Sequence, residues 1–246
     1  MSKTIRQPLT LATPLNTTFV GSRVLVYEEV TSTNDRALAL GGDGLVVAAD
    51  MQTAGRGRHG RSWHSEPGLG LWFSVVFERP LEGLPLAAPL AVRDVLKAWG
   101  EAIVKWPNDV LLNGRKVCGV LVESRRNRTA LGIGINVHHT EDDFPFELRD
   151  RATSVEMASG RTCDRRELLR DVLVRLDERV VQLRGGGFAQ IHAEWSEACR
   201  IVGRRIRHEG IEGIVQSVDR DGALVVETPK GRERILLGEI IELDGA

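Results

Sequence analysis

The sequence predicts an α+β fold, in which helices cover a mixed β-sheet and a small β-rich domain follows. Between residues 23 and 200, β-branched runs typical of strands are interspersed with segments whose apolar residues recur at helical spacing. After about Gly203, short strand-like runs are separated by turns that contain Gly or Asp, a spacing typical of a small barrel. We therefore expect a lead-in over residues 1–22, a main domain over 23–200 and a C-terminal domain over 201–246.

The first half of the main domain contains three predicted strands and two predicted helices. RVLVYEEV (23–30) alternates and is β-branched, and Ser32, Thr33 and Asn34 behind it are candidate N-caps for a short helix. Two more strands and a helix follow, at 45–50 (LVVAAD), 71–77 (LWFSVVF) and 86–100 (LAAPLAVRDVLKAWG).

The second half begins with three strand candidates, AIVKW, KVCGVLVES and RTALGIGINV, and Asn113-Gly114 marks a hairpin turn among them. The acidic stretch at 140–150 predicts a surface loop. A long amphipathic helix from Asp164 to Leu183, stopped by three glycines, and a second helix over FAQIHAEWSEAC complete the domain.

The composition indicates an ordinary globular protein with one local concentration of positive charge. A hydrophobic fraction of 42% and a charged fraction of 27% are unexceptional. The formal net charge of −1 argues against a protein whose whole surface binds nucleic acid. The arginines between residues 56 and 61 are therefore a local feature, which points to a site.

The three cysteines, Cys118, Cys163 and Cys199, are odd in number and lack metal-ligand or redox spacing. They are typical of free thiols in a reducing compartment. No apolar run approaches the length of a membrane span, and the N-terminus lacks the apolar core of a secretory signal. We therefore expect a cytoplasmic protein.

Residues 55–61 read GRGRHGR, and we call them the Gly/Arg loop. Glycine permits positive φ and close approach of backbone N–H groups to a ligand, while arginine forms bidentate bonds with phosphate or carboxylate. The alternative is a flexible surface loop or a segment that touches RNA. The position of the loop after a buried strand, with Gln52 before it and Trp63 behind it, favours a binding site.

A second candidate is VKWPNDVLL (104–112), where Pro107 fixes a turn at a strand end and Asn108 and Asp109 lie just beyond that end. A carboxylate there could hold Mg²⁺ together with phosphate oxygens. The alternative is an Asx-type turn in which both side chains bond their own backbone.

Glycines inside strand patterns are the third feature. Gly119, Gly132 and Gly134 weaken strand interiors and often mark the close approach of a ligand or another backbone. Lys116, at a strand start, is either a charge suited to carboxylate or phosphate or a solvated lysine. Asn136 either bonds a ligand or caps the loop after its strand.

No Ser/His/Asp or Cys/His arrangement, P-loop or zinc signature is evident. His138 and His139 are adjacent, so they face opposite sides of an extended chain and cannot ligate one metal. If the protein is an enzyme, its nucleophile therefore comes from the substrate.

Five segments occur in the order and approximate spacing of the biotin–protein ligases and closely resemble the signature of that family. They are STN (32–34), QTAGRGRHGRSW (52–63), KWPNDV (105–110), RKVCGVLVE (115–123) and GIGIN (132–136). VQSVDRDGALVVE, followed by LGEI, resembles the SH3-like domain that ends those ligases. The resemblance implies a catalytic sheet of the class II aminoacyl-tRNA synthetase and biotin synthetase-like type, with a C-terminal SH3-like barrel.

The resemblance also implies the reaction. The biotin carboxylate attacks the α-phosphate of MgATP to give biotinyl-5′-adenylate, and a lysine of a biotin carboxyl carrier protein then takes the biotin. Positioned cations and Mg²⁺ suit the charge that builds on phosphoryl oxygens. Both nucleophiles belong to substrates.

By resemblance, one group of residues binds biotin, and Gly134 leaves room for the ligand against the sheet. This group is Ser32, Thr33, Asn34, Gln52, Gly55, Arg56, Lys116 and Gly119. A second group binds ATP or the adenylate, and consists of Arg58, Arg61, Trp63, Asn108, Lys116 and Asn136. Arg58, Lys116 and Asp109 are the expected catalytic residues, with Asp109 near the metal, and the loop is expected to order over bound adenylate.

Two departures from the family pattern matter. His59 stands where many relatives have Arg, between two phosphate-facing arginines, so we expect a small effect. Only some 20–30 residues precede the STN segment, too few for the DNA-binding domain of bifunctional ligases. We therefore expect a monofunctional ligase whose partner is the carrier protein of acetyl-CoA carboxylase or a related carboxylase, with no DNA and no membrane, and with a homodimer left open.

Two rival interpretations remain at this point. A lipoate or octanoate ligase or transferase on the same fold also acylates a carrier lysine, although the Gly/Arg loop and KWPND favour biotin. An RNA-binding module built from the loop and the C-terminal barrel would instead bind RNA in a salt-sensitive way.

Overall fold

A computed structural model describes Leu9 and residues 14–236 and 238–243. Its main domain is built on a seven-stranded sheet of order β1-β2-β3-β7-β6-β5-β4. β1 and β2 are parallel, and the other neighbouring pairs are antiparallel. The strands are β1 (Arg23–Val30), β2 (Leu45–Gln52), β3 (Gly70–Phe77), β4 (Ala102–Lys105), β5 (Asp109–Leu112), β6 (Arg115–Arg125) and β7 (Arg128–Asn136).

Within the described residues, five α-helices connect or cover these strands. They are α1 (Thr33–Leu40), α2 (Leu84–Leu96), α3 (Val155–Ser159), α4 (Arg165–Arg184) and α5 (Phe188–Cys199). None of the helices in the described part of the chain is both long enough and apolar enough to cross a membrane.

The two faces of the sheet contact different parts of the molecule, because side chains point alternately to one face and the other along each strand. One face carries the main core, in which Phe73, Leu131 and Ile133 pack beneath α2 and α4. The opposite face is covered by α1 at one end, where Ala37 and Leu38 pack on it. The rest of this second face, which we call the site face, lies under the segment that includes the Gly/Arg loop.

Helix ends near the site are fixed by side-chain caps. The Ser32 hydroxyl accepts a hydrogen bond from the Asp35 N–H at the start of α1, and the Asp164 carboxylate accepts one from the Arg166 N–H at the start of α4. Asp177, buried on α4, accepts three backbone N–H groups from residues 18–20 at 2.7 Å each. The chain before β1 is therefore tied to the helical layer.

The C-terminal part forms a five-stranded antiparallel sheet of order β11-β10-β9-β8-β12. Its strands are β8 (Arg205–His208), β9 (Ile211–Val218), β10 (Leu224–Thr228), β11 (Gly231–Ile235) and β12 (Ile241–Glu242). Ile206, Leu224 and Val226 share a buried cluster with Trp195 of α5 and Trp106, and the Trp106 indole donates to the Gly222 carbonyl at 2.8 Å. The second sheet thus supports the turn that leads to Asp109.

The structure confirms the α+β class, the SH3-like C-terminal sheet and every predicted strand and helix, with shifts of a few residues at the ends. One α-helix and one strand were missed. α3 is only five residues long, and β5 begins at Asp109, a position that the sequence placed beyond a strand end. β5 forms because β4 and β6 pair with it on both sides, a tertiary effect that overrides the turn signals before it. Most of the predicted lead-in (1–22) lies outside the described residues.

We predict that the two sheets unfold together because they share a buried cluster. Leu224→Ala should lower the free energy of unfolding by about 2–5 kcal/mol, since Leu224 is fully buried. All five tryptophans precede residue 200. The urea midpoint of tryptophan fluorescence therefore measures whether the substitution destabilises the main domain. Ile214→Ala, at a 45% exposed position on β9, is the matched control, and an unchanged fluorescence midpoint for Leu224→Ala would contradict the coupling.

Candidate functional site

The site face contains a strip of sheet without side chains. Gly119 on β6 pairs with Gly134 on β7, and Gly132 lies two residues before Gly134 on the same face. The Trp63 indole covers the first two glycines so closely that a Cβ would lie 2.8 Å from it at Gly119 and 2.6 Å at Gly134. Asn34 covers Gly132 in the same way, with Oδ1 at 2.5 Å from a Cβ position. Each glycine therefore permits a close approach.

The Gly/Arg loop is a closed turn. The Trp63 N–H donates to the Gly55 carbonyl at 2.9 Å, and the Gly57 N–H donates to the Arg61 carbonyl at 2.7 Å. A 3₁₀ turn spans Arg58–Gly60, where His59 and Gly60 have φ of 56° and 71°. A Cβ at Gly55 would collide with the Trp63 carbonyl oxygen. Glycine is therefore needed where the two strands of the loop meet.

The three loop arginines have different partners. Arg56 forms a bidentate pair with Asp35 at 2.7 and 3.0 Å and also contacts Glu123 at 3.2 Å. Arg61 is paired with Glu239, which follows the last long strand of the C-terminal sheet. Arg58 makes no ion pair or side-chain hydrogen bond with any residue that the structure describes. Arg58 is therefore the loop cation that remains available for an anion.

The pKa shifts of the loop arginines differ between the ion-paired Arg56 and Arg58, which has no ion pair with any described residue. The hydrogen bond from Arg56 holds the pKa of the Asp35 carboxyl below its usual range, and the Asp35 hydrogen bond raises the pKa of Arg56. Burial lowers the pKa of Arg58, and the charge of Asp109 opposes that effect in part. Arg58 remains a cation at neutral pH, but it is a partly desolvated cation that an anion would stabilise.

The STN segment and Gln52 are brought together in one polar cluster. Ser32, Thr33 and Asn34 are buried, and Gln52 Oε1 accepts from the Thr33 N–H at 2.9 Å and from its hydroxyl at 3.1 Å. Asn34 donates to Glu123 Oε2 at 2.7 Å. All four sequence-predicted residues therefore lie together beside the glycine strip.

KWPND contributes two residues with different surroundings. The Asn108 amide donates to the Val120 carbonyl, so in this structure it braces the irregular pairing of β5 and β6. Asp109 faces the same side as Gly119 and forms an ion pair with Lys116 at 2.8 Å. The Lys116 ammonium also lies 5.3 Å from the centre of the Trp63 ring. Asp109, Lys116 and Arg58 therefore form one charged group at the edge of the strip.

Asn136 lies at the end of β7, almost fully buried, and donates to the Thr153 carbonyl at 3.1 Å. Thr153 in turn donates its N–H to the Lys116 carbonyl at 2.9 Å. Asn136 thus joins the segment that follows residue 150 to the site edge, and its side chain is engaged with backbone in this structure.

Sequence reasoning missed several residues that shape the site. Asp35 and Glu123 bind Arg56, Ser74 contacts Thr33 and Asn34, and Glu239 binds Arg61. Two of them left signals. Ser74 is a polar residue inside the apolar run LWFSVVF, and Glu123 is four residues after Gly119 and hence on the same strand face.

Magnesium fits this group of residues. The described residues contain no cluster of three or more His, Cys, Asp or Glu that would form a protein-only metal cage. Mg²⁺ commonly uses one or two carboxylates together with substrate phosphates. Asp109, the carboxylate beside Arg58 and Lys116, is the residue that would hold it.

Two family profiles match the chain. The one described as the Biotin/lipoate A/B protein ligase family matches residues 27–139. The one described as the Biotin protein ligase C terminal domain matches residues 200–241.

Individual proteins are similar over most of their length. "Bifunctional ligase/repressor BirA" of Bacillus spizizenii is 35% identical, over 92% of this chain and 76% of that protein. "Biotin--[acetyl-CoA-carboxylase] ligase" of Paracoccus denitrificans is 36% identical, over 85% of this chain and 96% of that protein. Among solved structures, "Biotin protein ligase from Aquifex aeolicus in complex with biotin and ATP" is 35% identical, with a TM-score of 0.77, and the match covers 89% of this chain and 98% of that chain.

We predict that the contact between Trp63 and the glycine strip does not tolerate a methyl group. Gly134→Ala should displace the indole, because its Cβ would lie 2.6 Å from the ring, and should lower the free energy of unfolding by about 1–3 kcal/mol. Near-UV circular dichroism and thermal unfolding measure the two effects. Gly57→Ala is the control, since its Cβ would meet its nearest neighbour at 3.6 Å. Equal spectra and stabilities for the two variants would contradict the packing described.

Proposed function

Since this chain belongs to the biotin protein ligase family, we propose that it joins biotin to a lysine of a carrier protein in two steps that consume ATP. In the first step a biotin carboxylate oxygen bonds to the α-phosphorus of ATP, the bond to the β-phosphate breaks, and pyrophosphate leaves. In the second step a deprotonated lysine amine attacks the acyl carbon, and AMP leaves as the amide forms.

The observation that carries the proposal is Arg58. It is partly buried, its pKa is lowered chiefly by burial, and no carboxylate pairs with it among the residues that the structure describes. A cation held in that state offers electrostatic stabilisation to a phosphoryl group without first having to break an ion pair. Arg56 and Arg61 lack this property because each is already bound to carboxylates.

Lys116 and Asp109 complete the phosphate end. The ammonium of Lys116 is suited to lie between the biotin carboxylate and the α-phosphate, where it would reduce the repulsion between two anions. Its ion pair with Asp109 keeps it on the site face. Asp109 would hold Mg²⁺, which would supply neutralisation of phosphate charge there.

The buried polar cluster is the proposed biotin end. Ser32, Thr33, Asn34 and Gln52 carry hydroxyl and amide groups at the foot of the loop, and these groups suit the ureido ring and carboxylate of biotin. Trp63 lies between this cluster and the charged group, and its indole would contact the adenylate. Asn108 and Asn136 would act from the edge, through the backbone segments that they brace.

The carrier is proposed from the names of the relatives, which are ligases for acetyl-CoA carboxylase. We propose the biotin carboxyl carrier protein of that enzyme, or of a related carboxylase, as the recipient.

The near-neutral charge supports a protein that does not bind DNA. Three free, buried cysteines support a cytoplasmic location. A homodimer stays a prediction, which light scattering of the intact chain tests.

The intact chain should convert ATP and biotin to pyrophosphate and adenylate, and should biotinylate an apo carrier domain. Radiolabelled biotin and lipoate, each supplied with ATP and the carrier, measure both steps and the choice of acid. Labelling with biotin and not with lipoate is the expected result. Labelling with lipoate alone would contradict the proposal.

Arg58→Ala should slow pyrophosphate release by about 100-fold or more, because it removes one preorganised charge from the transition state. The same variant should let bound adenylate escape faster, as expected if the loop closes over it. Arg175→Ala is the matched control, since Arg175 is an arginine on the outer face of α4 that is 45% exposed. Pre-steady-state pyrophosphate release and filter binding provide the rates. Equal rates for both variants would remove Arg58 from the mechanism.

A further inference from the structure

Glu123 occupies an unusual position at the foot of the Gly/Arg loop. It lies on the site face of β6, four residues after Gly119, and its side chain is 25% exposed. One carboxylate oxygen, Oε2, accepts from the Asn34 amide at 2.7 Å. Both oxygens also contact Arg56 Nη2, at 3.2 and 3.3 Å. A single carboxylate therefore joins the proposed biotin cluster to the first arginine of the loop.

The other end of Asn34 is equally constrained. Its Oδ1 lies 2.6 Å from the hydroxyl of Ser74, a fully buried residue, and that hydroxyl is also 2.7 Å from Thr33 Oγ1. With Glu123 on the NH₂ group and Ser74 on the oxygen, the Asn34 amide has one allowed orientation.

The same chain of hydrogen bonds continues to the far end of the loop. The Thr33 N–H donates to Gln52 Oε1 at 2.9 Å, Gln52 Nε2 donates to Ser65 Oγ at 2.9 Å, and the Ser65 hydroxyl donates to the Trp63 carbonyl at 3.2 Å. The network thus begins at Arg56 on one side of the loop and ends at Trp63 on the other. It passes through three of the proposed biotin-binding side chains.

We propose that Glu123 is a positioning residue that couples biotin binding to the Gly/Arg loop, by orienting the Asn34 amide and holding Arg56 with the same carboxylate. This inference rests on the proposed function. Glu123 contacts neither substrate in this account and acts through Asn34 and Arg56. Arg58, Arg61 and Asp109 lie outside the network, so the effect of Glu123 belongs to biotin and the acyl half of the adenylate.

The test is Glu123→Gln in the full-length chain. The neutral amide keeps the size of the side chain but loses the charge-assisted bonds to Arg56, and it places a donor group against the Asn34 amide or against Arg56. We expect the Kd for biotin, measured by calorimetry without ATP, to rise on the order of tenfold. The KM for biotin should rise to match, the KM for ATP should change by less than about threefold, and adenylate should dissociate faster.

Glu78→Gln is the matched control, because Glu78 is another strand-end glutamate paired with an arginine, Arg128, and lies outside the network. It should leave all four quantities unchanged. Glu123→Asp keeps the charge but shortens the reach, so it should also weaken biotin binding. Thermal unfolding checks that each variant is folded.

A double-mutant cycle that combines Glu123→Gln with Asn34→Ala tests whether Glu123 acts through Asn34. If Glu123 acts through Asn34, the effects of the two substitutions on biotin Kd should fall well short of additivity. Wild-type biotin affinity in both Glu123 variants, equal increases in the two KM values, or additive effects would each overturn the inference. A wild-type chain that binds no biotin and makes no adenylate would instead overturn the proposed function.

Discussion

The site depends on a strip of β-sheet that has no side chains. Gly119 and Gly134 let the Trp63 indole rest on backbone, and Gly132 does the same for Asn34. A side chain at any of the three would lift the loop and the polar cluster away from the sheet. The seven-stranded sheet and the helices behind it make this strip rigid, because the main core packs against the opposite face.

The arginines of the Gly/Arg loop alternate regularly with glycines in the sequence, but their surroundings in the structure differ. Asp35 and Glu123 hold Arg56 at the foot of the loop, and Glu239 holds Arg61 from the C-terminal sheet. Arg58 lies between these two anchors and keeps its charge available. The loop therefore combines two arginines that are bound to carboxylates with one arginine that pairs with no described carboxylate, and its glycines allow the turn that separates them. The RNA-binding alternative loses support, since the chain belongs to the biotin protein ligase family and two of the three loop arginines are bound to carboxylates.

The sequence predicted what local pattern and motif order can encode. Strands, main helices and the grouping of STN, Gln52, Asp109 and Lys116 follow from periodicity and from a signature in register. Ion-pair partners do not follow from local pattern. Arg61 and Glu239, for example, are 178 positions apart, and the sequence contains other charged residues with which either could pair. β5 was not predicted for a similar reason. Its four residues are ambiguous in local sequence, and they form a strand because they pair with β4 on one side and β6 on the other. The side chains of Asn108 and Asn136, expected near the nucleotide, bond backbone carbonyls in this structure.

The central claim is that the loop arginines have separate tasks. A crystal structure of this chain with a non-hydrolysable biotinyl-adenylate analogue tests it most directly. We expect the Arg58 guanidinium to lie within hydrogen-bond distance of the phosphoryl oxygens while Arg56 stays on Asp35 and Glu123. Arg58 in solvent, or Arg56 released from its carboxylates to bind the phosphate, would contradict it.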